Sequence, residues 1–91
     1  MLLGDLLSRF DDPSFATEVV LQIGDVGLLA RMREQAAAEG QELGEFARGA
    51  VQRFAAEASD EDWISMIGAL ARASDPGATC LRRVVDYVAR N

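Results

Sequence analysis

The sequence has no lysine and no histidine, and these absences narrow the chemistry that it can perform. Histidine is the side chain that most often serves as a general base near neutral pH. The sequence also shows no pairing of a nucleophile with a base, no glycine-rich phosphate loop and no cluster with metal-ligand spacing. It therefore argues against an enzyme, and it predicts neither a cofactor nor a metal site.

Basic residues are scarce as well. Nine arginines face eight aspartates and seven glutamates, which gives a net charge of −6. This balance repels polyanions at long range and argues against generic binding of nucleic acid or anionic membranes. The single cysteine, Cys80, cannot form an internal disulfide, which favours a reducing compartment. Because Cys80 lies in an apolar helical pattern, it is predicted to be a small buried side chain.

Long hydrophobic runs are absent too. No apolar stretch approaches the ~20 residues that span a bilayer. The opening segment has no basic start and is interrupted by Asp5 and Arg9, so it does not fit the pattern of a signal peptide. We therefore predict a cytoplasmic protein with no membrane partner. A chain of 91 residues is expected to form one domain, residues 1–91. A domain of this size buries roughly 60 to 65% of its unfolded surface, so a dimer interface would add useful core.

Residues 17–23 carry the pattern on which the sequence prediction depends. The alternating faces of this segment are Val19, Leu21 and Ile23 on one side and Glu18, Val20 and Gln22 on the other. A period of two with β-branched residues indicates a strand. No second strand is evident, and a lone strand leaves its backbone donors and acceptors unpaired. The segment therefore predicts a homodimer in which two copies of the strand pair.

Helical patterns occupy the remaining sequence. Residues 1–10 predict a short amphipathic helix. Asp25 is placed to cap the next helix, Gly40 to stop it, and a further helix is expected to begin near Glu42. The apolar stripe of that helix is Leu43, Phe46, Ala47, Ala50, Val51, Phe54 and Ala58.

Residues 59–91 predict a pair of helices. A capping box of Ser59 and Asp62 would start the first, and Asp75 with Pro76 the second. The acidic run that begins at Asp60 fits this capping role better than a metal site. Trp63 is interpreted as a packing anchor or as an exposed contact for a partner. The adjacent residues Arg82 and Arg83 are interpreted as a solvated surface pair or as a phosphate clamp.

A family resemblance follows from the strand at 18–23, the segment Arg31-Met32-Arg33-Glu34-Gln35-Ala36-Ala37, then Gly40, then Leu43-Gly44-Glu45-Phe46-Ala47-Arg48-Gly49-Ala50-Val51. Residues 15–58 resemble the ribbon-helix-helix repressors of the Arc, MetJ and CopG type. The resemblance implies a mainly α fold in which an antiparallel ribbon, formed by two copies, enters the DNA major groove. An N-terminal helix, 1–10, and a C-terminal helix pair, 59–91, would flank this core.

The same resemblance assigns roles to individual positions. Glu18, Val20 and Gln22 would face DNA bases, and the start of the second core helix, Glu42, Leu43 and Gly44, would bind a backbone phosphate. The dimer core would consist of Val19, Leu21, Ile23, Phe46, Ala50 and Phe54.

Two functions are compatible with these assignments. One is a small dimeric DNA-binding transcriptional regulator, in which Gln22 is the conventional base reader. The other is an acidic dimeric protein-interaction module on the same scaffold, antitoxin-like or regulatory, which does not bind DNA. The resemblance puts the DNA-binding regulator first and the interaction module second, although the carboxylates of Glu18 and Glu42 would face the phosphate backbone.

Overall fold

The computed structural model describes residues 3–90, apart from the side chains of residues 3 and 13, and these residues form helices and short connections without any strand. The N-terminal half contains α1 (Leu3–Arg9), α2 (Pro13–Gln22) and α3 (Val26–Ala38). The C-terminal half contains α4 (Leu43–Glu57), α5 (Asp60–Arg72) and α6 (Pro76–Arg90). None of these helices combines the length and the apolar character needed to cross a bilayer.

The predicted strand is wrong, because residues 17–22 lie within α2 and Ile23 is its C-cap. The Asp12 carboxylate accepts a hydrogen bond from the Ser14 N–H at 2.9 Å, and proline occupies the first turn. Both are helix-start signals. The residues that α2 and its cap bury are Ala16, Val20 and Ile23, spaced as on one side of a helix.

This correction removes the ribbon-helix-helix core from the described chain. Within α2, the backbone donors and acceptors are paired along the helix. At its C-terminal end, the Ile23 N–H donates to the Val20 carbonyl at 3.3 Å. No second copy is needed to satisfy them. The antiparallel ribbon that was expected to join two copies therefore has no strand from which to form.

The helix boundaries predicted at Asp25, Gly40, Ser59 and Asp75 are confirmed, whereas the first two positions of the predicted helix 1–10 lie outside the described residues. The Asp25 carboxylate caps α3 through the Leu28 N–H at 3.0 Å. Gly40 follows that helix with a φ of +66°, a left-handed conformation that a residue without a Cβ adopts at little cost. Hydrogen bonds between Ser59 and Asp62 complete the capping box of α5. Asp75 accepts from the third residue of α6 at 3.2 Å.

Helix α4 lies at the centre of the domain and packs against α2, α3 and α6, while α5 packs on α6. Its buried face consists of Gly44, Phe46, Ala47, Ala50, Val51 and Phe54. Leu6 of α1 and Phe10 just after it are buried in the same core, so the N-terminal helix docks on its own chain over its described length. The chain thus builds one core from all six described helices.

Helix α6 provides the second large buried surface. Its buried residues are Gly77, Cys80, Leu81, Val84, Val85 and Tyr87. A Cβ at Gly77 would lie 3.4 Å from both methyl groups of Val19, so the missing side chain lets α6 begin close against α2. The prediction for Cys80 is confirmed, because its side chain is fully buried. Burial raises the pKa of the Cys80 thiol to about 12.

Candidate functional site

The three residues predicted to read DNA do not share a surface. Glu18 and Gln22 are exposed on α2, one turn apart. Val20 is only 1% exposed and belongs to the core. The alternation of a strand would have placed all three on one face, whereas a helix turns Val20 to the opposite side. The base-reading face was therefore wrong in composition as well as in secondary structure.

The predicted dimer core is mostly used inside the single chain. Ile23, Phe46, Ala50 and Phe54 are buried by neighbouring helices, and Val19 is half-buried beside Gly77. Leu21, which was assigned to the centre of the interface, is 74% exposed. The apolar side chains that were expected to join two copies instead join α2 and α4 to their own neighbours.

The predicted phosphate site lies at the start of α4, where the structure places two carboxylates. Glu42 is the N-cap, and its N–H donates to a Glu45 side-chain oxygen at 3.4 Å. Leu43 is half-buried and Gly44 is buried. Carboxylates near a helix N-terminus already complement its positive end. A phosphate at this position would face both of them.

A different site emerges from the tertiary structure, an open groove of about 660 Å³ between α3, α5 and α6. We call it the arginine groove. Its floor is apolar and comes from the buried residues Phe54, Met66 and Tyr87. Its rim carries the exposed residues Arg31, Arg82, Arg83 and Arg90. Its volume falls in the ~300–1,000 Å³ range of typical ligand sites.

The groove reverses the charge of the chain locally. Its lining includes four of the nine arginines but only two acidic residues, Asp62 and Asp86, in a chain whose net charge is −6. A concave surface with low-dielectric walls concentrates the field of the charges on its rim. The arginine groove is therefore a place where an acidic protein can hold an anionic group.

Each of the four guanidinium groups contacts a polar atom within the chain. Arg31 Nη1 lies 3.0 Å from Asp86 Oδ1, and Arg90 Nε donates to the Asp86 carbonyl at 3.4 Å. Arg83 Nη1 donates to Ser65 Oγ, which ties α6 to α5.

The fourth guanidinium faces the start of α3. Arg82 Nε lies 3.7 Å from Asp25 Oδ2. Each of the four rim arginines thus uses one nitrogen for its contact within the chain, and a guanidinium group carries five N–H donors. The four arginines are therefore exposed side chains, each with one contact inside the chain.

Sequence reasoning found part of this site. It singled out Arg82 and Arg83, and the spacing of Arg82, Asp86 and Arg90 along one side of α6 was a further signal. Arg31 could not be assigned, because it precedes its partner Asp86 by 55 positions and reaches it only through the packing of α3 near α6. The groove is a product of tertiary structure.

The side chains that line the groove are suited to binding an anionic group. The hydroxyl of Ser65 accepts a hydrogen bond from Arg83 and so forms part of the arginine rim. Within residues 3–90, no three side chains of the metal-binding types are grouped so as to hold an ion. Guanidinium groups over an aromatic and aliphatic floor can bind carboxylates or phosphates and cover an apolar group at the same time.

No protein-family model matches the sequence, and neither curated proteins nor solved structures give a match. The resemblance of residues 15–58 to ribbon-helix-helix proteins thus stays a prediction from short motifs, and the ribbon it requires is missing among the described residues.

Proposed function

We propose that this chain is a small, non-enzymatic interaction domain whose arginine groove binds an acidic segment of a partner protein. The observation that carries the proposal is the gathering of four arginines around an apolar floor in a chain of net charge −6. The proposal keeps the protein-interaction function and abandons the ribbon scaffold.

Carboxylates match the rim chemically. The planar guanidinium group presents parallel N–H donors that bind a carboxylate with two hydrogen bonds. Arg82 lies beside Asp25 at the start of α3 and Arg83 beside Ser65 of α5, so the two arginines can each bind one acidic residue on different sides of the groove. The best ligand is a short segment with two or more aspartates or glutamates.

The floor adds a second requirement. Phe54, Met66 and Tyr87 are largely buried, so the floor offers a ligand only a small apolar surface beneath the arginines. An apolar side chain inserted there would be removed from water, which stabilises binding by ~25 cal/mol for each Å² that is buried. We therefore expect a ligand in which acidic residues flank one leucine or aromatic residue.

The internal ion pairs of the groove are easily exchanged. Arg31 and Asp86 expose about half of their side chains, 50% and 48%. Exposed pairs of this kind contribute about 0 to 1 kcal/mol. A ligand carboxylate can replace Asp86 as the partner of Arg31 at small cost, so the pair keeps the site ordered without closing it.

Duplex DNA fits the groove less well than an acidic peptide. DNA carries one negative charge per ~1.7 Å of its axis over a long distance, whereas the arginines occupy a single groove. The first turn of α5, next to the groove residue Asp62, adds Asp60 and Glu61. A long phosphate backbone would meet these carboxylates, but a short acidic segment can avoid them.

A fluorescence anisotropy titration tests the proposal. The probe is a labelled peptide in which four glutamates flank one leucine, titrated at low and at moderate salt. The variant Arg82→Gln with Arg83→Gln is compared with Arg9→Gln and Arg33→Gln, a matched pair that removes the same charge outside the groove lining. We expect the groove variant to lose at least tenfold in affinity and the control to stay within twofold of the parent.

The same titration includes a labelled mixed-sequence DNA duplex. Equal losses in both variants, or no binding of the peptide at low salt, would refute the proposal. Duplex binding that depends on Arg82 and Arg83, without peptide binding, would favour the DNA-binding regulator. Circular dichroism of each variant confirms that the helices are retained.

A further inference from the structure

Helix α5 exposes an apolar stripe on the side that does not face the core. Ile64 is 70% exposed and Ile67 is 52% exposed, and Ala71 continues the line one turn later. The spacing of these residues, i, i+3 and i+7, places them on one side of a helix. We call these three residues the α5 stripe. Burying exposed apolar surface of this kind favours association.

The stripe is separate from the arginine groove. The groove is lined on α5 by Asp62, Ser65 and Met66. These positions lie on the other flank of the helix, more than 90° from the centre of the stripe at 100° per residue. A partner on the stripe and a ligand in the groove would therefore occupy different surfaces.

The two ends of α5 carry opposite charges. The first turn holds Asp60, Glu61 and Asp62, and the last turn holds Arg72. A Cβ at Gly68 would lie 3.8 Å from Arg72 Nη1, so the guanidinium group extends back toward Gly68 on the side of the stripe. The α5 surface thus runs from acidic through apolar to basic.

We infer that a second copy of this chain covers the α5 stripe, with the two α5 helices packed antiparallel about a two-fold axis. In such an arrangement, each residue meets a symmetry-related position on the other copy. An axis close to the middle of α5, between residues 66 and 67, brings Glu61 of each copy near Arg72 of the other. The stripes then meet at the centre, and the two helix dipoles oppose each other.

Charge complementarity selects a second copy over other occupants. A basic group would complement the acidic end of α5 and an acidic group the Arg72 end, and an antiparallel copy of the same helix supplies both. An anionic membrane would be repelled by the acidic first turn. Gly68 and Ala71 have little or no side chain, which allows two helices to approach closely.

The contact is small. One pair of 13-residue helices covers less than the ~1,200 Å² that stable interfaces bury in total. We therefore expect a dimer that forms at tens of micromolar protein and dissociates on dilution. This dimer uses none of the residues assigned to the ribbon, and it does not rest on the function proposed for the arginine groove.

Sedimentation velocity of the full chain between about 5 and 500 µM tests the inference. The parent should shift from monomer to dimer across this range, and Ile67→Glu should stay monomeric. Val26→Glu is the matched control, because Val26 is another exposed apolar residue, at 79%, and lies outside α5. This control should dimerise like the parent.

A charge exchange tests the antiparallel arrangement. Glu61→Arg and Arg72→Glu should each weaken the dimer about threefold to tenfold, and the double variant should restore it. A parent that stays monomeric at 500 µM would overturn the inference and leave the stripe for a different protein. Equal effects of Ile67→Glu and Val26→Glu on dimerisation would overturn it as well. So would a double variant whose dimer is weaker than the dimer of either single variant.

Discussion

The ring of Phe54 on α4 meets the ring of Trp63 on α5 edge-on, with the ring centroids 5.1 Å apart and the planes at 66°. Tyr87 on α6 contacts the same phenylalanine at 5.3 Å and 80°. Edge-to-face pairs of this kind contribute about 0.5 to 1.5 kcal/mol beyond the area that they bury. Phe54 thus joins three helices beneath the arginine groove.

Phe54→Ala is expected to lower the free energy of unfolding by about 3 to 5 kcal/mol, because it leaves a cavity at the junction of α4, α5 and α6. Urea denaturation followed by the fluorescence of Trp63, the single tryptophan, measures the change. Leu21→Ala serves as the control, since Leu21 is 74% exposed, and should change stability by less than about 1 kcal/mol. Similar losses in both variants would contradict the assignment of the core.

Substitutions at neighbouring positions distinguish the helix from the expected strand. Val20 is 1% exposed and Leu21 is 74% exposed. Val20→Asp should unfold the domain or destabilise it by several kcal/mol, because it buries an unpaired charge. Leu21→Asp should leave the thermal unfolding temperature within a few degrees. The strand assignment makes the opposite prediction, so thermal melts of the two variants decide between them.

The stability of the domain should fall at alkaline pH because of Cys80. Burial raises the pKa of its thiol from 9.0 to about 12, so the folded chain retains a proton that the unfolded chain releases. Between these values the unfolded state binds fewer protons, and the free energy of unfolding decreases as pH rises. A shift of this size corresponds to roughly 4 kcal/mol at most.

Cys80→Ala provides the control for this titration. It should be less stable than the parent at neutral pH, because a buried side chain has been shortened. Its stability should decline less steeply above pH 9.0, the ordinary thiol value. Identical slopes for the parent and the variant in urea titrations at several pH values would show that the thiol is not responsible.

Removal of the capping box of α5 should lower the stability of the domain by less than a substitution in the core. Ser59 Oγ accepts from the Asp62 N–H at 3.2 Å, and Asp62 accepts in return from the Ser59 N–H at 3.2 Å. Ser59→Ala should cost about 1 kcal/mol of stability. Ser8→Ala on the exposed side of α1 removes the same hydroxyl away from any cap and should cost less than about 0.5 kcal/mol in the same denaturation assay.

Asp86 should compete with an acidic ligand in the arginine groove. Asp86→Asn releases Arg31 from an ion pair of 3.0 Å, so the affinity for the glutamate-leucine peptide should rise about threefold. Stability should change by less than about 1 kcal/mol, because the pair is half exposed. Glu34→Gln removes one negative charge from the exposed surface of α3 and is the matched control. A gain of the same size in both variants would indicate a non-specific effect of net charge.

Local signals in the sequence predicted most of the helices. Asp25, Ser59 and Asp75 act as caps where their side chains can reach the first free N–H groups, and these contacts depend only on neighbouring residues. The apolar stripes of α4 and α6 recur at helical spacing over 15 residues each, which leaves little ambiguity. Such features are visible without knowledge of the tertiary fold.

The strand prediction was wrong for a physical reason. In a segment as short as 17–23, periods of 2 and 3.6 both fit the apolar residues, and the β-branched pair Val19 and Val20 favoured the strand. The decisive signal is Asp12 followed by Pro13, an N-cap residue and a first-turn proline that start α2. The apolar series from Ala16 through Val20 to Ile23 then fits a helix better than a strand.

The arginine groove lay beyond the reach of local patterns. Arg31 and Asp86 are 55 positions apart, and no periodicity relates them. Their contact follows from how α3 and α6 pack around α4. The exposure of Ile64 and Ile67 likewise depends on which side of α5 packs against α6.

The burial of the single thiol also makes the chain convenient to label. Cys80 is fully buried and its pKa is raised to about 12, so a maleimide should react with it only when the domain opens. A cysteine introduced at Ser74, an exposed position just after α5 and outside the α5 stripe, would then be the preferred attachment point, without removal of the native residue. A spin label there would report the distance between the two copies of the proposed dimer.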